Sequence, residues 1–189
     1  MSRRWAAEGD EMPAQKPTAR KKSSRGAEKD AIALLKEDHE RVRGLLAELE
    51  KTTEKAGSQR EKLLATIEQE LKVHTKIEED VFYPAFFDAC QTSDDKELYY
   101  EAIEEHHVVD LVLPEIKQTD PSTEQFAAKA KVLKDLVEHH AEEEESEMFP
   151  RARTLMDRDE LLRLGEELAR AKESAQAGIL EKLTGLIRS

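Results

Sequence analysis

The stretch His74-Thr75-Lys76-Ile77-Glu78-Glu79-Asp80-Val81-Phe82-Tyr83-Pro84 returns in altered form as His140-Ala141-Glu142-Glu143-Glu144-Glu145-Ser146-Glu147-Met148-Phe149-Pro150. In each copy a Glu follows the His by four residues and a Pro follows it by ten. On a helix, a spacing of four stacks both side chains on one face. A carboxylate turned into a core without a partner is too costly to stay charged. An inward imidazole one turn from an inward carboxylate, written twice, therefore points to a helix bundle that holds cations between its helices.

The surrounding pattern is helical throughout. Ile32, Leu35, His39, Val42, Leu46 and Leu49 advance by alternating steps of three and four, which predicts a helix over about residues 28–55 that ends at Gly57. Ser58-Gln59-Arg60-Glu61 has the form of a capping box for a second helix, with Leu64, Ile67, Leu71, His74, Glu78 and Val81 on its inner stripe. Pro84 is expected to kink or stop it. Thr92 or Ser93 caps a third helix, with Tyr99, Ala102, His106, Val109, Leu113 and Ile116 inward and Pro114 inside it. Ser122-Thr123-Glu124-Gln125 reads as a second capping box, and the fourth helix places Leu133, Val137, His140, Glu144 and Met148 on one stripe. A weaker segment around Leu161, Leu164, Leu168 and Ala171 follows, with Gly178 and Gly185 expected to break it up. The expected fold is all-α: an antiparallel up-down four-helix bundle over residues 28–152, a C-terminal helical extension over 153–189, and a disordered basic tail over 1–27.

Each long helix carries one histidine position, and the chain repeats on a larger scale. Asp38-His39-Glu40-Arg41-Val42 matches Glu105-His106-His107-Val108-Val109, and each is followed by its His-x3-Glu-x5-Pro helix. The repeat selects His106 over His107 and His140 over His139, and it makes Glu144 the counterpart of Glu78. Four imidazoles and two carboxylates thus converge, while Glu79, Glu143 and Glu145 fall outside. Mixed nitrogen and oxygen ligation without thiolates suits iron, with manganese or zinc as substitutes. The competing reading is a plain bundle whose His and Glu pair only with each other.

These residues resemble the hemerythrin-like, or HHE cation-binding, family over roughly residues 28–152. The resemblance implies a non-haem centre of two iron ions, oxo- or hydroxo-bridged, with His39, His74, His106 and His140 as ligands and Glu78 and Glu144 as bridges. Oxygen-carrying animal members have a second His one turn after the third-helix ligand. Asp110 stands there in this chain and is a further candidate ligand. A site with open coordination positions is expected to bind or react with oxygen, hydrogen peroxide or nitric oxide, in stress protection or sensing. The alternative is an iron-binding protein without turnover.

Charge and composition narrow the partners. The formal net charge of −12 argues against nucleic acid. Within residues 1–25, however, seven Lys and Arg face three acids. The single cysteine, Cys90, excludes an internal disulfide and fits a reducing, cytoplasmic setting. No apolar run is long enough to span a membrane.

Overall fold

The computed structural model describes residues 29–187; the basic tail expected over 1–27 lies outside them. Seven α-helical segments follow in order: α1 (Ala31–Glu50), α2 (Gly57–Ile77), α3 (Tyr83–Ala89), α4 (Ser93–Lys117), α5 (Glu124–Glu143), α6 (Phe149–Leu155) and α7 (Arg158–Ile187). A π-helical turn, Glu78–Phe82, joins α2 to α3, and a second, Glu144–Met148, joins α5 to α6. The four rods of the bundle are therefore α1, α2 with α3, α4, and α5 with α6. Rod α1 packs on α2 and α5, α4 packs on α5 and α2, and α7 lies along α1 and α2. Among the described residues there is no strand, and no helix is long and apolar enough to cross a membrane.

Caps and breaks explain where the rods begin. The Asp30 carboxylate accepts the Ala33 N–H at 2.8 Å and opens α1. Thr92 and Asp95 form a reciprocal capping box on α4. Asp95 also takes a forked contact from Arg151 of α6, with Nη2 at 3.0 Å, which ties the two rods at this end. Thr123 caps α5 by accepting the Phe126 N–H, whereas Ser122 turns back to Asp120.

Four expectations are corrected. First, α1 stops at Glu50, and Gly57 begins α2 instead of ending α1. Second, the capping box at Ser58 does not form. Arg60 is buried within α2, and its guanidinium donates to the Pro121 carbonyl (2.7 Å) and the Thr52 carbonyl (3.1 Å), joining two loops below the bundle. Third, Pro84 does not end its helix. The π turn before it absorbs one extra residue, closed by the Tyr83 N–H donating to the Glu78 carbonyl, and Pro84 then falls in the first turn of α3, where a missing N–H costs least. That extra residue also turns Phe82 and Tyr83 inward in place of Val81. Fourth, α7 runs unbroken through Gly178 and Gly185, since a glycine weakens a helix by only about 1 kcal/mol.

Gly165 has a different role. A Cβ there would lie 2.4 Å from the Lys29 carbonyl oxygen, so only glycine lets α7 meet the start of α1 so closely.

The interior is divided in two. One apolar cluster gathers Leu35, Ile77, Phe82, Phe86, Phe149 and the inner face of α7; the other gathers Val42, Leu46, Ile67, Leu71, Leu113 and Leu133. Between them the four rods place a layer of buried polar residues: His39, His74, Glu78, His106, His140 and Glu144.

Candidate metal centre

Each rod delivers one imidazole to this layer, and each π turn begins with its carboxylate. His74 Nε2 lies 3.2 Å from Glu78 Oε2, and His140 Nε2 lies 3.7 Å from Glu144 Oε2, the one-turn stacking expected of the two repeats. Across the bundle, His106 Nε2 is 3.3 Å from Glu78 and His39 Nε2 is 3.1 Å from Glu144. His106 and His140 face each other, Nε2 to Nε2, at 3.2 Å. Two groups result: His39, His74, Glu78 and Glu144 in one, Glu78, His106 and His140 in the other, each with its ligand atoms within 4.8 Å.

An outer rank of acids orients the rings. His39 Nδ1 donates to Glu145 (2.9 Å), His106 Nδ1 to Glu79 (3.1 Å) and His140 Nδ1 to Glu105 (2.8 Å). At His74 the corresponding acid is Asp38, 3.9 Å from Nδ1 and drawn off by an ion pair to Lys172 of α7. A carboxylate beyond Nδ1 fixes the hydrogen there and leaves the Nε2 lone pair facing inward.

The layer is consequently short of donors. Among the described residues, the buried side-chain atoms without a hydrogen-bond partner are His39 Nε2, both ring nitrogens of His74, both oxygens of Glu78, and Glu144 Oε2. Buried polar atoms are seldom left so. Lone pairs of nitrogen and oxygen, converging without donors, are satisfied by cations. The donor set therefore fits a metal.

The description "Hemerythrin HHE cation binding domain" matches residues 30–152, well over half of the chain. The chain belongs to this family. Its structure is similar to the crystal structure of a hemerythrin HHE cation binding domain-containing protein from Mycobacterium kansasii, with a TM-score of 0.72 and 29% identity, over 82% of this chain and 93% of that one. It is also 28% identical over 152 residues to a Nostoc protein named DNA nickase. That match takes in 80% of this chain and 42% of the relative, so the hemerythrin-like chain spans under half of that protein's length.

The two halves of this hemerythrin-like bundle differ electrostatically. Burial, and then the nearby Glu144 charge, push Glu78 well above the usual carboxylate range. Burial opposes ionisation of Glu144 too, but His140, His39 and the Tyr83 hydroxyl outweigh it and bring its pKa to about 2. Tyr83 donates to Glu144 Oε1 at 2.9 Å and lies over the His106 ring. The matching aromatic, Phe149, lies over His39 and has no hydroxyl. Burial and the other imidazoles hold His74 well below its ordinary value, and burial and His140 lower His106. At His140 burial again disfavours charge, yet Glu144 and Glu105 raise its pKa.

The six residues named from the repeat, His39, His74, Glu78, His106, His140 and Glu144, are brought together in this layer. Asp110 is not: it is exposed on α4, and Val109 turns inward in its place, because the His106–Val109–Leu113 stripe drifts by three and then four. Sequence reading missed Asp38 and Glu105. The signal was present, since both repeats place an acid directly before the first-helix histidine.

Proposed function

We propose that the buried layer holds two iron ions, His39 and His74 serving one, His106 and His140 the other, and Glu78 and Glu144 shared between them. The observation that carries this reading is the convergence of four imidazoles and two carboxylates in which His39 Nε2, both nitrogens of His74, both oxygens of Glu78 and Glu144 Oε2 have no hydrogen-bond partner, with acids behind three of the rings to fix their tautomers. When bound, iron supplies a Lewis-acidic, redox-active centre for a small oxidant such as oxygen, hydrogen peroxide or nitric oxide.

The chain's own residues set the terms of access. A cavity of about 20 Å³ borders all four imidazoles and is walled by Val42, Leu71, Val109 and Val137. Room of that size suits a molecule of two or three atoms and excludes larger substrates. Glu78 holds a proton in the metal-free layer, and Tyr83 keeps its hydroxyl hydrogen directed at Glu144, burial and the two carboxylates having raised its pKa well above the ordinary value.

The test is metal content and absorption of protein produced with iron, beside the double variant Glu78→Ala, Glu144→Ala. About two irons per chain, lost in the variant, support the di-iron reading; equal and low iron in both overturns it. Sustained consumption of added hydrogen peroxide then separates a reactive centre from an iron-binding protein without turnover.

A second reading comes from the nickase relative and the basic residues of positions 1–25. Relaxation of supercoiled plasmid by the metal-loaded chain, abolished by chelator, would favour it. The acidic bundle gives it less support.

A further inference from the structure

We propose that Glu105, His139 and Glu143 form a second, solvent-open divalent-cation site on the α4–α5 face, from which metal passes to the buried layer. The inference rests on the reading of that layer as a metal centre. His139 Nε2 lies 3.4 Å from Glu105 Oε1 and 3.4 Å from Glu143 Oε1, and the three ligand atoms fall within 4.8 Å of one another. One imidazole and two carboxylates make a set suited to a first-row divalent ion. His139 is 60% exposed, so such an ion would keep water on its open side and leave readily.

An acid-rich turn beside a histidine is ordinary on a helix surface. What sets this one apart is its connection inward. Glu105 uses one oxygen toward His139 and the other, at 2.8 Å, on His140 Nδ1 of the buried layer. The site opens onto a groove of about 290 Å³ that Glu101 and Glu104 also line. A small cavity of about 10 Å³ shares Glu101, Glu105 and Glu143 with this groove and is also bordered by Glu144 and by the apolar Leu98, Ala102 and Met148. That is near the least space a water-sized sphere needs. Glu144 is 2% exposed and has an oxygen without a hydrogen-bond partner. Acidic residues therefore run from solvent to the buried layer, where one oxygen of the last, Glu144 Oε2, faces His39 and His140 without a donor.

The electrostatics favour a cation along this path. Glu101, Glu104, Glu105 and Glu143 line the groove, with no lysine or arginine among its lining residues. The internal repeat supplies the control. The positions that correspond to Glu101, His139 and Glu143 are Leu34, Val73 and Ile77, which join the apolar cluster that α7 covers. Lys172 of α7 pairs with Asp38, the counterpart of Glu105. The fold thus closes one of two related faces with apolar side chains and a lysine, and leaves the other open and acidic.

Cobalt(II), whose visible bands report imidazole and carboxylate ligation, is the probe. In the variant Glu78→Ala, Glu144→Ala, the outer site should still bind one weakly held cobalt per chain, and adding His139→Ala should abolish those bands. Bands that are absent from the first variant, or that survive His139→Ala, overturn the outer site. In the otherwise intact metal-free chain, His139→Ala with Glu143→Gln should slow cobalt uptake into the buried layer roughly tenfold or more, as loss of a focusing charged cleft does, with the final occupancy of the buried layer unchanged and only the outer ion lost. Uptake at the unaltered rate overturns the route. If the intact chain takes up no cobalt beyond the His139-dependent ion, the metal-centre reading fails and the route with it, while the outer site stands.

Discussion

Tyr83 donates its hydroxyl hydrogen to Glu144 across 2.9 Å, while the place related to it by the internal repeat is filled by Phe149, which has nothing to donate to Glu78. The two buried carboxylates are therefore unequal in the metal-free layer. Glu144 carries the charge and Glu78 the proton. Tyr83→Phe should narrow the difference without removing it, since His140 and His39 lower the Glu144 pKa more than the hydroxyl does. A hydrogen bond to a charged group is lost, so the metal-free protein should lose about 1.5–3 kcal/mol in denaturant unfolding. The ring packing is retained, and the absorption of the iron-loaded variant should shift. An unchanged stability and spectrum would show that the hydroxyl contributes nothing to the site.

Metal binding should release protons. In the metal-free layer the raised pKa values of Glu78 and His140 favour the protonated form of each. A cation must displace those protons, so affinity should fall as pH falls, by about a factor of ten per pH unit for each proton released. Cobalt titrations at several pH values, with a dye following proton release in weak buffer, measure this. An affinity independent of pH across the neutral range would contradict the assigned charge states.

Glu78→Gln isolates the cost of the empty layer. The folded pKa of Glu78 lies above its unfolded value, so the folded metal-free chain binds the extra proton. Its stability must then decline as pH rises from about 4.3, the unfolded value, toward the raised one. The amide has no charge to bury. Melting curves of the two metal-free proteins should thus diverge as pH increases, with the variant the more stable near neutrality, while added iron stabilises only the wild type. Parallel curves would mean that Glu78 is not desolvated.

Arg60 should matter to stability and not to metal. Its buried guanidinium donates to the Thr52 and Pro121 carbonyls and lies over Phe126, far from the polar layer. Arg60→Ala leaves those acceptors unserved and should cost about 2–4 kcal/mol in urea unfolding. Metal stoichiometry should stay the same.

Much of this architecture was legible in the sequence because it depends on helical periodicity. The stripes through His39, His74, His106 and His140 alternate steps of three and four, and the repeat alone chose the buried member of each adjacent His pair. What escaped was whatever acts between rods. Asp38 and Glu105 precede a histidine, so on their own helices they point away from it; each instead addresses a histidine on the neighbouring rod. The π turns escaped because one inserted residue alters the stripe by a single step, from Val81 to Phe82, and the nearby proline reads as a kink. Arg60 looked like an exposed member of a cap, since its acceptors lie in loops brought together only by the fold.

The polar layer that separates the two apolar clusters also governs how the molecule comes apart. Each cluster holds itself together by contact, but the junction between them is a set of lone pairs that repel unless a cation or proton lies among them. Cooperativity across the bundle therefore passes through the layer. Filled, it should make the chain melt as one unit, in a single transition. Emptied at a pH where its protons are also lost, it should leave two weakly coupled blocks, and amides around Leu46 and Leu113 should exchange their hydrogens independently of those around Phe82 and Phe86.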